Sequence, residues 1–430
     1  MAEQIYTFLN SVTAQAMGET AITASDTTSL VALGEQVMAD AQTIEAFYGV
    51  LATQIARTYA QWRALTREDS GFMRTPIEFG AMLRVLEVKT IARAKENESW
   101  DPTNPITLVA EQDTTDIACT YYAKRGTFAI DTKVIYDYQL REAFTDAASM
   151  SAFIDMIFGD MYNGMEMSIR DCQNTTECTA IAICSGYELT TNCCINVLAK
   201  YNAAFNESLT SAAALRDPDF LRFAAAEIKK HKKFMEDPSA LYNPSSYERW
   251  TPSTDMQVHV YEEFAANCAT YMESSTFHDE MVKLPSYREK SFWQGVGAGD
   301  TADRTQVIIT RSDDPLNPVT IAVNGVIAFC FDREAIAVMI DYIRTRSDYI
   351  PKLEHTEYYH KADWASLVRP TQQMCVFYID DYVPVVVPAG DVSDWSNKYV
   401  NYYTKDMTDG SYDGATSTYG ATTQYYKKIN

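Results

Sequence analysis

The chain of 430 residues carries 36 basic against 58 acidic side chains, a formal net charge of −22 at pH 7. Long-range repulsion of that size opposes nucleic acid and anionic membrane, which excludes most readers of DNA or RNA. With 47% apolar residues, this length leaves room for two or three packed units built without disulfides or metals.

In chain order, residues 1–75 read as helical and peripheral. Leu33, Val37, Ala41, Ile44, Tyr48, Leu51 and Ile55 recur at helical spacing, with Thr27 or Thr28 as the expected cap. Residues 76–132 read as extended. Segments 82–89 and 120–132 carry apolar, β-branched and aromatic residues in partial alternation. Between them, Trp100-Asp101-Pro102-Thr103-Asn104-Pro105 forces a turn and forbids a central strand. The pattern predicts a long two-stranded excursion with a polar tip. Such a ribbon is barely stable alone in water, so it needs a partner surface.

A long amphipathic helix follows. Met150, Phe153, Ile154, Ile157, Phe158, Met161, Met165, Ile169 and Cys172 trace one stripe, and Asp146 or Ser149 can cap its start. Gly159 and Gly164 weaken it without stopping it, and it runs on to about Ile183. Residues 186–335 read as a mixed α+β unit. Asp217-Pro218-Asp219 starts a helix with Phe220, Ala224, Ile228 and Met235 inward. Lys229, Lys230, Lys232 and Lys233 then face the negative end of that helix, which accounts for them without nucleic acid. Strands are expected at 256–261, 306–310, 320–323 and 326–331, and a helix at 262–272.

Longer aromatic strands are expected at 336–344 and 356–368, and a last apolar one at 373–379. From Asp391 onward Tyr, Thr, Ser, Gly and Asp dominate, so this tail is expected to build no core of its own, its tyrosines docking on a neighbour. The nine cysteines, an odd number without a CxxC pair, read as reduced core thiols. Residues 1–10 lack the basic start and apolar run of a secretory leader. The best apolar stretch, 320–331, is too short for a bilayer and is broken by Asn324 and Gly325.

This order of ribbon excursion, long helix, α+β unit and returning strands resembles the Hong Kong 97 capsid fold of tailed phages. Val134-Ile135-Tyr136-Asp137-Tyr138-Gln139-Leu140-Arg141-Glu142-Ala143-Phe144 leads into the helix. It is similar to the "Leu, two residues, Ala-Phe" approach of major capsid proteins from small, short-tailed picovirus-type phages. Phe331-Asp332-Arg333-Glu334-Ala335, Tyr349-Ile350-Pro351, Tyr358-Tyr359-His360-Lys361-Ala362-Asp363-Trp364 and Met374-Cys375-Val376-Phe377-Tyr378-Ile379 look like that family's C-terminal half. The likeness covers roughly residues 76–382 and leaves out the N-terminal helices and the tail.

The resemblance implies an α+β, Hong Kong 97-like fold in six parts. These are an N-terminal helical arm (1–75), an E-loop (76–132), the spine helix of a peripheral (P) domain (133–185), an axial (A) domain (186–335), P-domain return strands (336–390) and a C-terminal tail (391–430). It implies a major capsid protein that self-assembles, as pentamers and hexamers, into an icosahedral head around a double-stranded DNA genome. Implied partners are a scaffolding protein, a portal protein and DNA packaged without sequence-specific binding. No membrane, cofactor or enzymatic activity is implied, and the location is the virion after assembly in the host bacterial cytoplasm. At the E-loop tip, Trp100, Asp101, Pro102 and Asn104 become the candidate inter-subunit contacts. Some members of the fold cross-link a loop lysine to a neighbour's asparagine. Lys95 and Lys124 lie in the excursion, but no motif marks a matching asparagine or activating acid, so no cross-link is expected.

Other motifs carry little chemistry. His355 and His360, with Glu354 and Glu357 nearby, lack the four-residue helical spacing of a zinc protease. Gly295-Val296-Gly297-Ala298-Gly299 lacks the flanking strand, helix and lysine of a phosphate loop, and Asp313, Asp314 and Asn317 lack the alternation of a calcium loop. No Gly-x-Ser-x-Gly nucleophile elbow occurs. Three alternatives stay open at this level: an encapsulin-type compartment shell, a portal or other virion protein, and a soluble hydrolase.

Overall fold

The computed structural model describes residues 2–18, 21–39, 41–58, 71, 73–74, 83–88, 117–122, 124–154, 159–186, 189–273, 285–293, 304–311 and 319–429. The chain opens with helices α1 (Ala2–Met17), α2 (Thr27–Val37) and α3 (Ala41–Thr58). The cap of α2 is Asp26, not Thr27 or Thr28. Its Oδ1 accepts from Ser29 N at 2.7 Å while Ser29 Oγ accepts from Asp26 N at 3.0 Å, a reciprocal pair that a threonine one step later does not supply.

Strands β1 (Met73–Arg74), β2 (Leu83–Val88), β3 (Ile117–Tyr122) and β4 (Lys124–Tyr136) come next, then α4 (Asp137–Ala143), α5 (Ala147–Ile154) and α6 (Asp160–Ser185). Asp146 caps α5 as expected, its Oδ1 accepting from Ser149 N at 2.8 Å. The expected long helix is observed as α5 and α6, the latter ending at Ser185; residues 155–158 lie outside the described ones.

The central unit holds β5 (Cys194–Asn196), α7 (Val197–Phe205), α8 (Ser211–Ala214), α9 (Pro218–Phe234), β6 (Met256–Tyr261), α10 (Glu262–Glu273), β7 (Arg288–Lys290), β8 (Val307–Arg311), β9 (Val319–Val323) and β10 (Val326–Asp332). Two long strands, β11 (Ile336–Ile350) and β12 (His355–Val368), lead to β13 (Met374–Tyr378). The chain then forms β14 (Tyr382–Val385), α11 (Ala389–Ser393), α12 (Trp395–Lys398), β15 (Tyr403–Lys405), β16 (Tyr412–Gly414) and β17 (Tyr425–Lys428).

The first sheet has the order β1-β11-β12-β4 and forms a long platform. β11 and β12 pair antiparallel from Ile336↔Val368 to Ile350↔His355, and β4 lies against β12 from Tyr136↔His355 to Lys124↔Ser366. Segment 120–132 is therefore not one strand of a ribbon. β3, to Tyr122, pairs with β2, while β4, from Lys124, joins the platform. The N-terminal helices are not peripheral either. Leu33, Phe47, Tyr48, Leu140, Phe144 and Tyr358 share one buried cluster joining helices, lead-in motif and platform.

The second sheet, β5-β13-β10-β6-β7, is the core of the central unit. Every residue of β10 and β13 is buried, which matches their continuous apolar runs and places them in the middle, covered on both faces. Phe220, Ala224, Ile228 and Met235 all reach this core, as the α9 pattern requires, and so do Met165, Ile169, Ile181 and Cys184 of α6.

The tail departs from expectation. Residues beyond β13 fold into a sheet of order β14-β17-β15-β16 with its own core of Trp395, Tyr402, Ala415 and Tyr425, backed by Val385, Val387, Tyr399 and Tyr419. Aromatic rings replace the missing aliphatics. Trp395 lies 5.2 Å from Tyr402 and 4.9 Å from Tyr425 between centroids, and each ring removes a large area from water. The unit begins with β14 at Tyr382, ahead of the compositional change at Asp391.

Candidate assembly surfaces

The β2–β3 ribbon runs from Leu83↔Tyr122 to Val88↔Ile117 and pairs with no further strand among the described residues. A two-stranded ribbon leaves hydrogen-bonding groups unused on both outer edges. One contact ties its end to the central unit: Arg249 Nη2 donates to Val88 O at 2.8 Å, and the same guanidinium sits 5.3 Å from the Tyr247 ring. Nothing local in the sequence marks Arg249, because its acceptor lies 161 positions away. Lys95 and the expected tip contacts Trp100, Asp101, Pro102 and Asn104 lie outside the described residues, and Lys124 opens β4.

Two buried polar clusters hold the elements behind these surfaces. Near the end of α6, Glu177 Oε1 meets His259 Nδ1 of β6 at 2.5 Å and Glu177 Oε2 meets Lys290 Nζ of β7 at 3.0 Å. Lys290 also donates to Asn174 Oδ1 at 3.2 Å. Burial alone would push the Glu177 carboxyl up, but the facing His259 and Lys290 side chains outweigh it and hold it down at about 2. A buried acid held by His259 of β6 and Lys290 of β7 ties α6 to the central sheet. The sequence signal for it was a glutamate in phase with the buried positions Gln173, Thr176, Ala180 and Ile181.

On α9, His231 Nε2 accepts from Lys200 Nζ at 3.1 Å, which leaves Nδ1 to donate to Tyr242 Oη at 2.8 Å. Burial, then the Lys200 charge, hold this imidazole neutral down to about 4, against the opposing pull of Glu227. Lys230 and Lys200 both pair with Glu227, and Lys233 with Glu236, so part of the basic cluster is satisfied within the subunit.

The C-terminal unit is seated on the central unit by polar contacts. Asn324 Nδ2 donates to Gly410 O at 2.8 Å and Gln306 Nε2 to Asp409 O at 2.7 Å. Tyr412 Oη donates to Asp380 Oδ2 at 2.7 Å, and Asp381 accepts from Ser211 N and Oγ at 2.7 and 2.9 Å. These residues line an open cleft of about 810 Å³ with Arg304, Tyr261 and Tyr382.

Reactive chemistry finds little footing. The cysteines with described side chains are free and buried. Burial raises Cys193 to about 11 and Cys268 and Cys330 to about 12, which keeps these thiols protonated near neutral pH. His355 faces Glu357 at 3.3 Å, and His360 meets Thr345 Oγ1 at 2.8 Å. Among the described residues no group of three or more His, Cys, Asp or Glu is arranged to hold a metal. Residues 295–299, Asp313, Asp314 and Asn317 lie outside the described ones.

The subunit is α+β: a two-stranded ribbon precedes a long helix that packs on a central sheet, and a long antiparallel hairpin follows. The model of the Phi29-like phage major capsid protein family matches residues 9–378. The chain belongs to this family: it is the major capsid protein of a tailed phage. The match takes in the N-terminal helices, which the sequence resemblance left out, and stops before the C-terminal unit.

Solved structures similar to the chain include the capsid structure of Staphylococcus phage Andhra, at 10% identity and a TM-score of 0.42 over 74% of this chain and 85% of that one. A structure of head fibre and inner core protein of bacteriophage P68 is similar at 11% identity, TM-score 0.41, over 73% and 85%. The capsid of cyanophage P-SCSP1u is similar at 11% identity, TM-score 0.39, over 74% and 89%. No curated protein matches the sequence.

Proposed function

We propose that many copies of this subunit close into an icosahedral head around a double-stranded DNA genome, the E-loop of each lying across its neighbour. The family match over residues 9–378 carries the reading. A β2–β3 ribbon without a third strand among the described residues is the feature that a neighbour would complete. Pentamers and hexamers are the expected capsomers, formed in the host bacterial cytoplasm with a scaffolding protein and filled through a portal. The part played is structural and not enzymatic. On this reading α6 is the spine of the P domain, the β5-β13-β10-β6-β7 unit the A domain, and β11–β12 the return strands.

Each contact is modest, and their number supplies stability through multivalency while permitting correction during assembly. A net charge of −22 keeps packaged DNA from adhering to the wall if the acids line the inside. Among the described residues no helix is long and apolar enough to cross a membrane.

Deleting residues 97–105, with Trp100, Asp101, Pro102 and Asn104, should leave a folded subunit, by circular dichroism and melting, that forms no closed shells in negative-stain microscopy. Normal shells from that deletion would refute the assigned role of the loop. An encapsulin-type compartment would instead be recognised by enzyme cargo in place of packaged DNA.

A further inference from the structure

Three oxygens are buried without a partner where the N-terminal helices meet the platform. Tyr48 Oη of α3, Thr356 Oγ1 of β12 and Asp137 Oδ1 at the start of α4 make no hydrogen bond among the described residues. Buried polar atoms are nearly always paired, so three in one neighbourhood point to a bound group.

The neighbourhood is fixed by the strands. Tyr349 of β11 donates its hydroxyl to Asp137 Oδ2 at 2.8 Å and lies directly across from Thr356. Opposed residues of an antiparallel pair share a face of the sheet, and so does Tyr358, two positions on from Thr356. The Tyr358 ring meets that of Tyr48 at 5.6 Å, and its hydroxyl donates to Tyr48 O at 3.3 Å. Asp137 N donates to Glu354 O at 3.0 Å, which holds the start of α4 beside the end of β12. Oxygens of α3, α4, β11 and β12 therefore gather on one side of the platform, and both Tyr48 and Thr356 are fully buried.

Charge selects what they bind. Burial and the hydrogen bond to Asp137 push the Tyr349 phenol up to about 12. Burial, then the charge of Asp137, raises Tyr48 well above an ordinary phenol, so both rings stay neutral. The Asp137 carboxylate is thus the single charge of the set. A water molecule would complete the hydrogen bonds and leave that charge facing neutral groups alone. Calcium takes about six to eight oxygens, carboxylates prominent among them, and zinc prefers nitrogen and sulfur. One carboxylate with three neutral hydroxyls suits one positive charge held by oxygen.

We propose that Tyr48, Asp137, Tyr349 and Thr356 form a site for a monovalent metal cation, potassium or sodium, that fastens α3 and α4 to the β11–β12 hairpin. The ion balances the Asp137 carboxylate and joins four elements that meet only in the folded subunit. The inference goes beyond the capsid reading and does not depend on shell formation.

The test melts the full chain in potassium, sodium and tetramethylammonium chloride at one ionic strength, so that screening of the −22 charge is equal in all three. Tetramethylammonium, shielded by its methyl groups, cannot be coordinated by oxygens. The wild type should melt at least about 2 °C higher in potassium or sodium, with an effect that saturates as the ion replaces tetramethylammonium. Asp137→Asn keeps the side-chain shape and an acceptor for Tyr349, and should melt alike in all three salts. Tyr48→Phe and Thr356→Val should each raise the ion concentration needed for half the effect. Equal wild-type melting in the three salts overturns the proposal and leaves water in the nest. A potassium or sodium effect that Asp137→Asn retains in full overturns it too, because the ion then binds elsewhere. If Asp137→Asn fails to fold, a thallium(I) resonance decides. A bound signal on the wild type that potassium displaces and Thr356→Val weakens supports the site; no bound signal, or one that Thr356→Val leaves unchanged, refutes it.

Discussion

A side chain at Gly34 has nowhere to go: its Cβ would lie 2.7 Å from both Cβ and Cγ of Phe144. Phe144 cannot retreat, because its ring packs against Phe47 at 5.7 Å between centroids. The Leu140, Ala143 and Phe144 pattern that signalled the family therefore has a physical cause, a phenylalanine seated on a glycine of another helix. Gly34→Val should cost about 1–3 kcal/mol through overpacking, read as a lower midpoint in denaturant unfolding. The motif was legible in the sequence; its glycine partner was not, since 110 positions separate them and α2 gives no other sign that Gly34 faces a ring.

Acid should weaken the fold through two identified groups. The unfolded chain protonates a histidine near the ordinary 6.5, whereas folded His231 stays neutral to about 4. Between those values the unfolded state binds more protons, so stability falls as pH drops through that window. Glu177 acts in the same direction from 4.5 down to about 2, because the folded site refuses the proton that the unfolded carboxyl accepts. His231→Gln should flatten the pH dependence of the unfolding midpoint between about 6.5 and 4 and leave the lower window in place. An unchanged slope there would show that other groups dominate.

Among the elements, those that bury a repeating stripe were readable. The α9 start at Asp217-Pro218, the inward Phe220, Ala224 and Ile228, and the buried runs of β10 and β13 all follow from local pattern. Pairing across distance was not readable. Segment 120–132 has one texture, yet it divides between a ribbon and the platform because the partner of β4 lies on β12. The tail misled for a different reason: tyrosines spaced through polar sequence look like disorder until Trp395 gathers them. Its seat rests on Gly410, whose φ of +77° is left-handed and whose Cβ would overlap Asn324 Oδ1 and Gln306 Nε2. Gly410→Val should unseat the C-terminal unit and leave the central unit intact. Limited proteolysis should then cut near residues 379–382, where the wild type resists.

At the scale of the molecule, the N-terminal helices, the long aromatic strands and the central α+β unit were each visible as composition and periodicity, and the order of parts suggested the capsid fold. How tightly the N-terminal helices join the platform was hidden, because Tyr48 meets Tyr358 at 5.6 Å across 310 positions. The platform also has a history in time. β4 cannot find its neighbour β12 until more than two hundred further residues have left the ribosome. At roughly 5–20 residues per second that is a delay of some tens of seconds, with apolar strands uncovered throughout. A nascent chain of this design is a client for chaperones, and it cannot offer a finished building surface while translation continues.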